Sequence, residues 1–168
     1  GAFKEERQWQ IANDHALPAA FCDGGDLETT CWINRTHYLN NSFDVLSANN
    51  VIINGSGKLV NATGIKFFIN LTGNLTMERG SVINLSGQYC LSAACVKRGG
   101  NLTITANVIN ITSGALITVA GSHFTGAVLA TAGDGGIINI SATTLYFDGN
   151  ISLNGGGSKG GTIDGNGG

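Results

Sequence analysis

Three blocks of 21 residues recur along this chain and align without gaps on their glycines. Each block has glycine at its fourteenth and twenty-first positions, and a shorter copy at residues 57–64 precedes them. The blocks are rich in Val, Ile, Leu, Thr and Asn, and they show no helical periodicity. They span residues 67–87, 101–121 and 136–156.

A repeat of this length predicts an all-β fold, a right-handed parallel β-helix (β-solenoid) with coils of about 21–23 residues. Three short strands and three turns use about that many residues, and each coil must stack on neighbours about 4.8 Å away to bury its apolar side chains. The recurring glycines are expected at the corners, where the backbone needs positive φ or close approach. Pro18 is the single proline, as expected where backbone N–H groups are committed to strand pairing.

The repeats predict two regions and two insertions. We expect an N-terminal cap over residues 1–45, because the first coil of a solenoid exposes an open core and an unpaired edge. The β-solenoid is expected over residues 46–168, and it is free to continue in a longer parent polypeptide. The intervals between blocks predict loop insertions at residues 88–100 and 122–135.

Eleven of the 18 Asn residues begin an Asn-x-Ser/Thr triplet. Such triplets are acceptor sites for N-linked glycan in secreted proteins. Strand alternation offers a second explanation, since an apolar middle residue faces the core while Asn and Ser/Thr face outward and form hydrogen-bonded ladders. The two explanations are compatible, and the alignment places Asn61 with Asn84, and Asn70 with Asn139, in shared columns. The candidate sites are Asn34, Asn40, Asn54, Asn61, Asn70, Asn74, Asn84, Asn101, Asn110, Asn139 and Asn150.

The four cysteines form two close pairs along the sequence. The simplest of three connectivities joins Cys22 to Cys31 and Cys90 to Cys95. Separations of nine and five residues suit a four-thiolate zinc site poorly, so disulfides of a secreted protein are the better interpretation.

Composition argues against several classes of function. Charged residues make up 12% of the chain and the net charge is −2, so there is no basic footprint for nucleic acid. The sequence contains no run of eighteen apolar residues, so we expect no membrane insertion. We expect no enzyme and no cofactor, because the acidic residues of the repeats form no recurring pair of the kind that glycoside hydrolysis requires. Gly133-Asp134-Gly135 and the turn at Asp164 are weak signals for calcium, without the full glycine-rich nonapeptide.

The string GDGGIINISATTLYFDGNISLNGGGSKGGTIDG resembles the coils of large extracellular right-handed β-helix proteins, including filamentous haemagglutinin-like adhesins and microbial surface appendage and filament proteins. The resemblance covers about residues 50–168. It implies a cell-surface or appendage location, and members of this group are mostly adhesins, spikes or filament components, with a minority of pectate-lyase-like enzymes. This chain lacks the acidic clusters of those enzymes. Its sequons and disulfides suit a eukaryotic or archaeal secretory route better than a bacterial one.

We therefore expect a structural subunit or segment of a glycosylated extracellular filament, appendage or surface coat, in which copies of the chain stack end to end. An adhesin or carbohydrate-binding module is the first alternative, with the insertions as recognition loops for cell-surface glycans. A polysaccharide lyase or hydrolase is the second. The alignment also predicts Tyr146 as a core residue, in the column of Ile111.

Overall fold

The computed structural model describes residues 16–61, 64–125, 132–157 and 165–168. Within these ranges the chain is all-β, as predicted, with thirteen strands and two single-turn 3-10 helices, Ala19–Phe21 and Ala93–Cys95. The strands are β1 (Gly24–Gly25), β2 (Thr30–Ile33), β3 (Thr36–Tyr38), β4 (Phe43–Ala48), β5 (Asn50–Ile53), β6 (Lys58–Val60), β7 (Lys66–Leu71), β8 (Asn74–Met77), β9 (Val82–Asn84), β10 (Asn101–Ile111), β11 (Leu116–Thr118), β12 (Ile137–Phe147) and β13 (Asn150–Ser152).

The strands form one sheet of eight and one of five. From β2 to β11, each strand pairs in parallel with a strand two or three places further along the chain, as β2 does with β5 and β5 with β8. The long strand β10 pairs with β7 through its first half and with β8 through its second half. The five-stranded sheet runs β3, β6, β9, β11, β13. The single antiparallel pairing among the described strands joins β1 to β2.

Apolar side chains line up in columns across the paired strands. Strand β10 alternates buried and more exposed residues along much of its length, as period two requires. In one column every member up to β10 is fully buried, and burying an aliphatic side chain of this size contributes about 1.5–3 kcal/mol. That column consists of Ile33, Ile53, Met77 and Ile111. The core therefore consists of layers of apolar side chains, each supplied by a different stretch of the chain.

Two of the glycines at the fourteenth block position occupy a left-handed corner conformation. Gly80 has φ +89° and Gly114 has φ +86°, and the N–H of Gly80 donates to the carbonyl of Gly114 at 3.0 Å. Gly149, which the sequence alignment placed in the same column, is not among the glycines with positive φ. Its corner, residues 148–149, is shorter than the corner at residues 112–115. The alignment of Gly149 with the other two is therefore wrong.

The two expected insertions pack on each other. Cys90 forms an isolated parallel bridge with Phe124, and its N–H donates to the carbonyl of His123 at 2.8 Å. Cys90, Phe124 and Ala132 form a small buried cluster separate from the main core, with Val96 packed against it. Glycine is required at Gly133, where a Cβ would collide with the carbonyl of Lys97. The insertions thus extend the layered packing outside the main core.

The segment expected to form a cap contributes strands to both sheets. Residues 1–15 lie outside the described residues, and β1, β2 and β3 fall within residues 16–45. Strand β2 pairs in parallel with β5, and β3 pairs in parallel with β6. The layered pairing therefore begins before residue 46.

Candidate assembly end and glycosylation sites

The last layer of the structure exposes its apolar side chains at one end of the sheets. We call this surface the open end and define it by Leu145 and Phe147 of β12 and Ile151 of β13. These side chains are 46%, 41% and 36% exposed, although they continue columns whose preceding members, Ile109, Ile111 and Ile117, are fully buried. Among the described residues, the open end thus has the side chains of a core layer and no further layer of strands beside them.

The backbone of the open end is also incompletely paired. Among the described strands, β12 pairs with β10 alone and β13 pairs with β11 alone. Strand β12, with eleven residues, therefore has one paired edge and one edge without a partner among the strands that the structure describes. A long edge with adjacent apolar side chains is a template for the addition of another strand.

Tyr146 lies on the outer face of this layer. The register pairs Tyr146 with Asn110 and Phe147 with Ile111, and Tyr146 is 61% exposed. The prediction of Tyr146 as a core residue is therefore wrong. The alignment was shifted by one position here, and a shift of one residue in a strand exchanges its two faces.

The opposite end is covered by residues 16–29. Leu17, Phe21 and Leu27 pack against the main core cluster, and the N–H of Leu17 donates to the carbonyl of Val45 at 2.8 Å. Strand β1 covers the outer edge of β2. The two ends therefore differ, since one has a cover of apolar side chains and backbone pairing and the other is open.

Asp23 connects this cover to the first layer. Its carboxylate accepts hydrogen bonds from the backbone N–H groups of Asn34 and Arg35, and His37 Nε2 lies 2.9 Å from each carboxylate oxygen. Arg35 Nε forms an ion pair with Asp23 at 2.7 Å. Burial acts to raise the pKa of Asp23, but the hydrogen bond from His37, the backbone N–H groups and the charge of His37 outweigh it and hold the pKa below its ordinary value. Because several groups of the first layer donate to its carboxylate, Asp23 has a structural role.

His37 has no acidic residue at ligand spacing along the sequence. The structure brings it to Asp23 across fourteen positions and packs its ring against that of Phe21 in a tilted arrangement, with centroids 4.4 Å apart. Spacing along the chain did not reveal this pair, because it depends on how the cover folds over β3.

The eleven sequons differ in accessibility. Asn61 is buried, and four others, Asn54, Asn84, Asn101 and Asn110, are half-buried. The side chains of internal layers are crowded by neighbours on both sides, because adjacent strands lie about 4.8 Å apart. The exposed sequons are Asn34, Asn40, Asn70, Asn74, Asn139 and Asn150.

The register places Asn61 away from the column assigned to it. Val60 pairs with Asn84, so Asn61 is shifted by one position toward the column of the fully buried Leu85. Asn61 is 6% exposed, and its Nδ2 donates to the carbonyl of Leu39. The shared column predicted for Asn61 and Asn84 is therefore wrong. The column predicted for Asn70 and Asn139 is wrong as well, because Asn70 pairs with Thr105, which pairs with Ser141.

Stacked amides are found at two of the sequons. Asn54 Nδ2 donates to Asn34 Oδ1 at 2.7 Å, and Asn54 Oδ1 accepts the backbone N–H of Ser56 at 2.9 Å. The nitrogen of Asn54 that would carry a glycan is thus engaged in a hydrogen bond between layers. This pair is an instance of the hydrogen-bonded ladder that strand alternation alone predicts.

Both cysteine pairs form disulfides, in the simplest of the three connectivities. Cys22 is joined to Cys31 with a Cα–Cα distance of 5.1 Å, and Cys90 is joined to Cys95 with a Cα–Cα distance of 5.7 Å. The first disulfide ties the covering segment to β2. The second closes a turn within the first insertion.

The described residues contain no group of three or more His, Cys, Asp or Glu side chains that could hold a metal ion. Asp164, one of the two weak calcium signals, lies outside the described residues. Asp134 Oδ1 accepts the backbone N–H of Asn166 at 2.8 Å. In the part of the chain that the structure describes, no helix is long and apolar enough to cross a membrane.

Comparison of the chain with protein-family models, with curated proteins and with solved structures found no match. Proposals about its function therefore depend on its own sequence and geometry.

Proposed function

We propose that this chain is a structural subunit or segment of a glycosylated extracellular filament, appendage or surface coat, and that copies of it stack through the open end. In this proposal the two sheets are the faces of one right-handed parallel β-helix. Strands β2 to β11 each pair in parallel with a strand that lies two or three places later along the chain. This order supports that architecture, because a coil that returns to the same face produces it.

The exposure of Leu145, Phe147 and Ile151 carries the assembly proposal. Each side chain continues a column that is fully buried one layer earlier, so another layer placed on β12 and β13 would bury them in the same way. Covering each would contribute about 1 kcal/mol, since roughly half of a burial worth about 1.5–3 kcal/mol remains to be gained. New backbone pairing along β12 would add to this gain.

Six exposed sequons and two disulfides support the extracellular and glycosylated part of the proposal. Disulfides persist in oxidising compartments, and N-linked glycan is added along the secretory route. Exposed Asn70, Asn74, Asn139 and Asn150 lie on strands β7, β8, β12 and β13. Glycan at these positions would project from the sides of the sheets and leave the open end accessible.

Sedimentation velocity over a range of protein concentrations tests the assembly. We expect the wild-type chain to form larger species as concentration rises, and Leu145→Lys to remain a monomer because a charge at the open end opposes strand addition. Thr105→Lys is the matched control, since Thr105 is an exposed residue of the internal strand β10. We expect this variant to assemble as the wild type does. A wild-type chain that stays monomeric at high concentration would refute the proposal.

A further inference from the structure

A groove of about 400 Å³ runs beside the five-stranded sheet, where the two insertions meet it. We call it the Tyr89 groove. Gln88 and Tyr89 of the first insertion and His123 of the second lie along it, together with Asn84 of β9 and Thr118 of β11. Its volume is in the range of small-ligand sites, about 300–1,000 Å³.

Tyr89 provides an exposed aromatic surface in this groove. Its side chain is 75% exposed, and its ring stacks on that of His123 with centroids 4.9 Å apart and an interplanar angle of 18°. Stacking on His123 occupies one face of the Tyr89 ring and leaves the opposite face for a ligand. An exposed aromatic ring with a hydroxyl at its edge suits a ligand that has both apolar C–H faces and polar groups.

The aromatic pair is held in place by its neighbours. His123 Nδ1 accepts the backbone N–H of Gly157 at 3.0 Å, so a neutral His123 ring carries its proton on Nε2. Cys90, the residue after Tyr89, is fully buried, and its N–H donates to the carbonyl of His123. A surface fixed in this way loses little conformational entropy when a ligand binds.

The polar lining of the groove is ordered and uncharged. Asn84 Oδ1 accepts the backbone N–H of Ser86 at 3.0 Å, and the hydroxyls of Ser86 and Thr118 are hydrogen-bonded at 2.9 Å. None of the described residues lining the groove is Lys, Arg, Asp or Glu. Hydroxyl and amide groups around an aromatic face fit the hydroxyls of a neutral ligand, whereas an ionic ligand would find no counter-charge.

We propose that the Tyr89 groove binds a neutral saccharide ring, with the sugar's C–H face on Tyr89 and its hydroxyls toward Asn84, Gln88 and Thr118. Two sources of this chemistry exist. One is a glycan attached to Asn84, which is itself a sequon lining the groove, and the other is a saccharide of a separate molecule. This proposal is independent of filament assembly.

Tyrosine nitration mapped by mass spectrometry distinguishes the two sources. Tyr38, which is 70% exposed, is an internal control within the same molecule. In protein that carries glycan at Asn84, slower nitration of Tyr89 than of Tyr38, reversed by enzymatic removal of the glycan, indicates the attached source. In protein produced without N-linked glycan, slowing of Tyr89 nitration by added di-N-acetylchitobiose or cellotetraose indicates a separate ligand.

Variants test the role of the ring. We expect Tyr89→Ala to weaken the binding of these saccharides to protein without N-linked glycan about tenfold, and Tyr89→Phe to change it less than about threefold, where tenfold corresponds to about 1.4 kcal/mol. Tyr38→Ala is expected to leave binding unchanged. The proposal is overturned if Tyr89 nitration is unaffected both by the Asn84 glycan and by the two added saccharides. It is also overturned if saccharide binding survives Tyr89→Ala undiminished.

Discussion

Leu75 and Leu145 occupy the same column in different layers. Comparing them measures how well the last layer is covered in the single chain. Leu75 pairs with Val51 on one side and Ile109 on the other, and it is fully buried. Leu145 pairs with Ile109 on one side alone and is 46% exposed. The substitutions Leu75→Ala and Leu145→Ala remove the same atoms, so any difference between them reports the surroundings.

The expected free energies differ severalfold. Leu75→Ala leaves a cavity between two layers, and such substitutions destabilise proteins by about 2–5 kcal/mol. Leu145→Ala removes about half of a burial worth about 1.5–3 kcal/mol and leaves no closed cavity, so we expect a loss of about 1 kcal/mol. In a monomer, a Leu75→Ala effect near the middle of this range lowers the free energy of unfolding by at least about 2 kcal/mol more than Leu145→Ala does.

Urea unfolding of both variants measures the free energies of unfolding. The experiment is run at a protein concentration where sedimentation shows a monomer, and equal slopes against urea confirm that the same surface is exposed on unfolding. Equal destabilisation by the two variants would refute the argument, because it would mean that Leu145 is as well covered as Leu75 in the single chain. At concentrations that favour assembly, we expect the effect of Leu145→Ala to increase.

Three further predictions concern the covered end and the sequons. Because the pKa of Asp23 is lowered in the folded protein, its contribution to stability is present above the pKa of the unfolded state, about 3.9, and is lost as pH falls through the lower folded value. Asp23→Asn should therefore reduce the fall in the free energy of unfolding at acid pH, measured by urea unfolding, and an unchanged fall would contradict this. Glycopeptide mass spectrometry should find Asn74 occupied and Asn61 unmodified, since Asn61 is buried; a glycan on Asn61 would contradict the register. Replacing Cys22 and Cys31 by serine should lower the free energy of unfolding by about 2–3 kcal/mol, and by more than the same change at the second disulfide, which closes a shorter loop; the reverse order would count against an attachment of the cover through this disulfide.

The repeat pattern predicted the all-β class of the fold. Alternation of apolar and polar residues carries this information, because every inward position must be filled in every layer. Blocks aligned on Gly80 and Gly114 were therefore sufficient to indicate strands.

The exact columns could not be predicted, because corners vary in length between layers. A gapless alignment assumes equal corners, but the corner at Gly149 is shorter than that at Gly114. Since the two faces of a strand differ by one residue, such a difference changes an inward position into an outward one. Tyr146 was assigned to the wrong face for this reason. Asn61 was misplaced by the alignment of Gly57 with Gly80, although the corners at residues 54–57 and 78–81 are equally long. Only the hydrogen-bonded register determines which sequons are accessible.

The Tyr89 groove and the Asp23–His37 pair were beyond the reach of the repeat pattern. Tyr89 and His123 lie in different insertions, and their stacking depends on the bridge between Cys90 and Phe124. Insertions have no period, so nothing in their spacing indicates which side chains meet. The contacts between them arise from packing alone.

Electron microscopy of native material tests the proposed filament most directly. We predict filaments built from repeated copies of this layered fold, in which each open end is covered by a neighbouring copy. Sugar density is expected over the exposed Asn residues on the sides. Isolated compact particles, with Leu145, Phe147 and Ile151 still exposed to solvent, would contradict it.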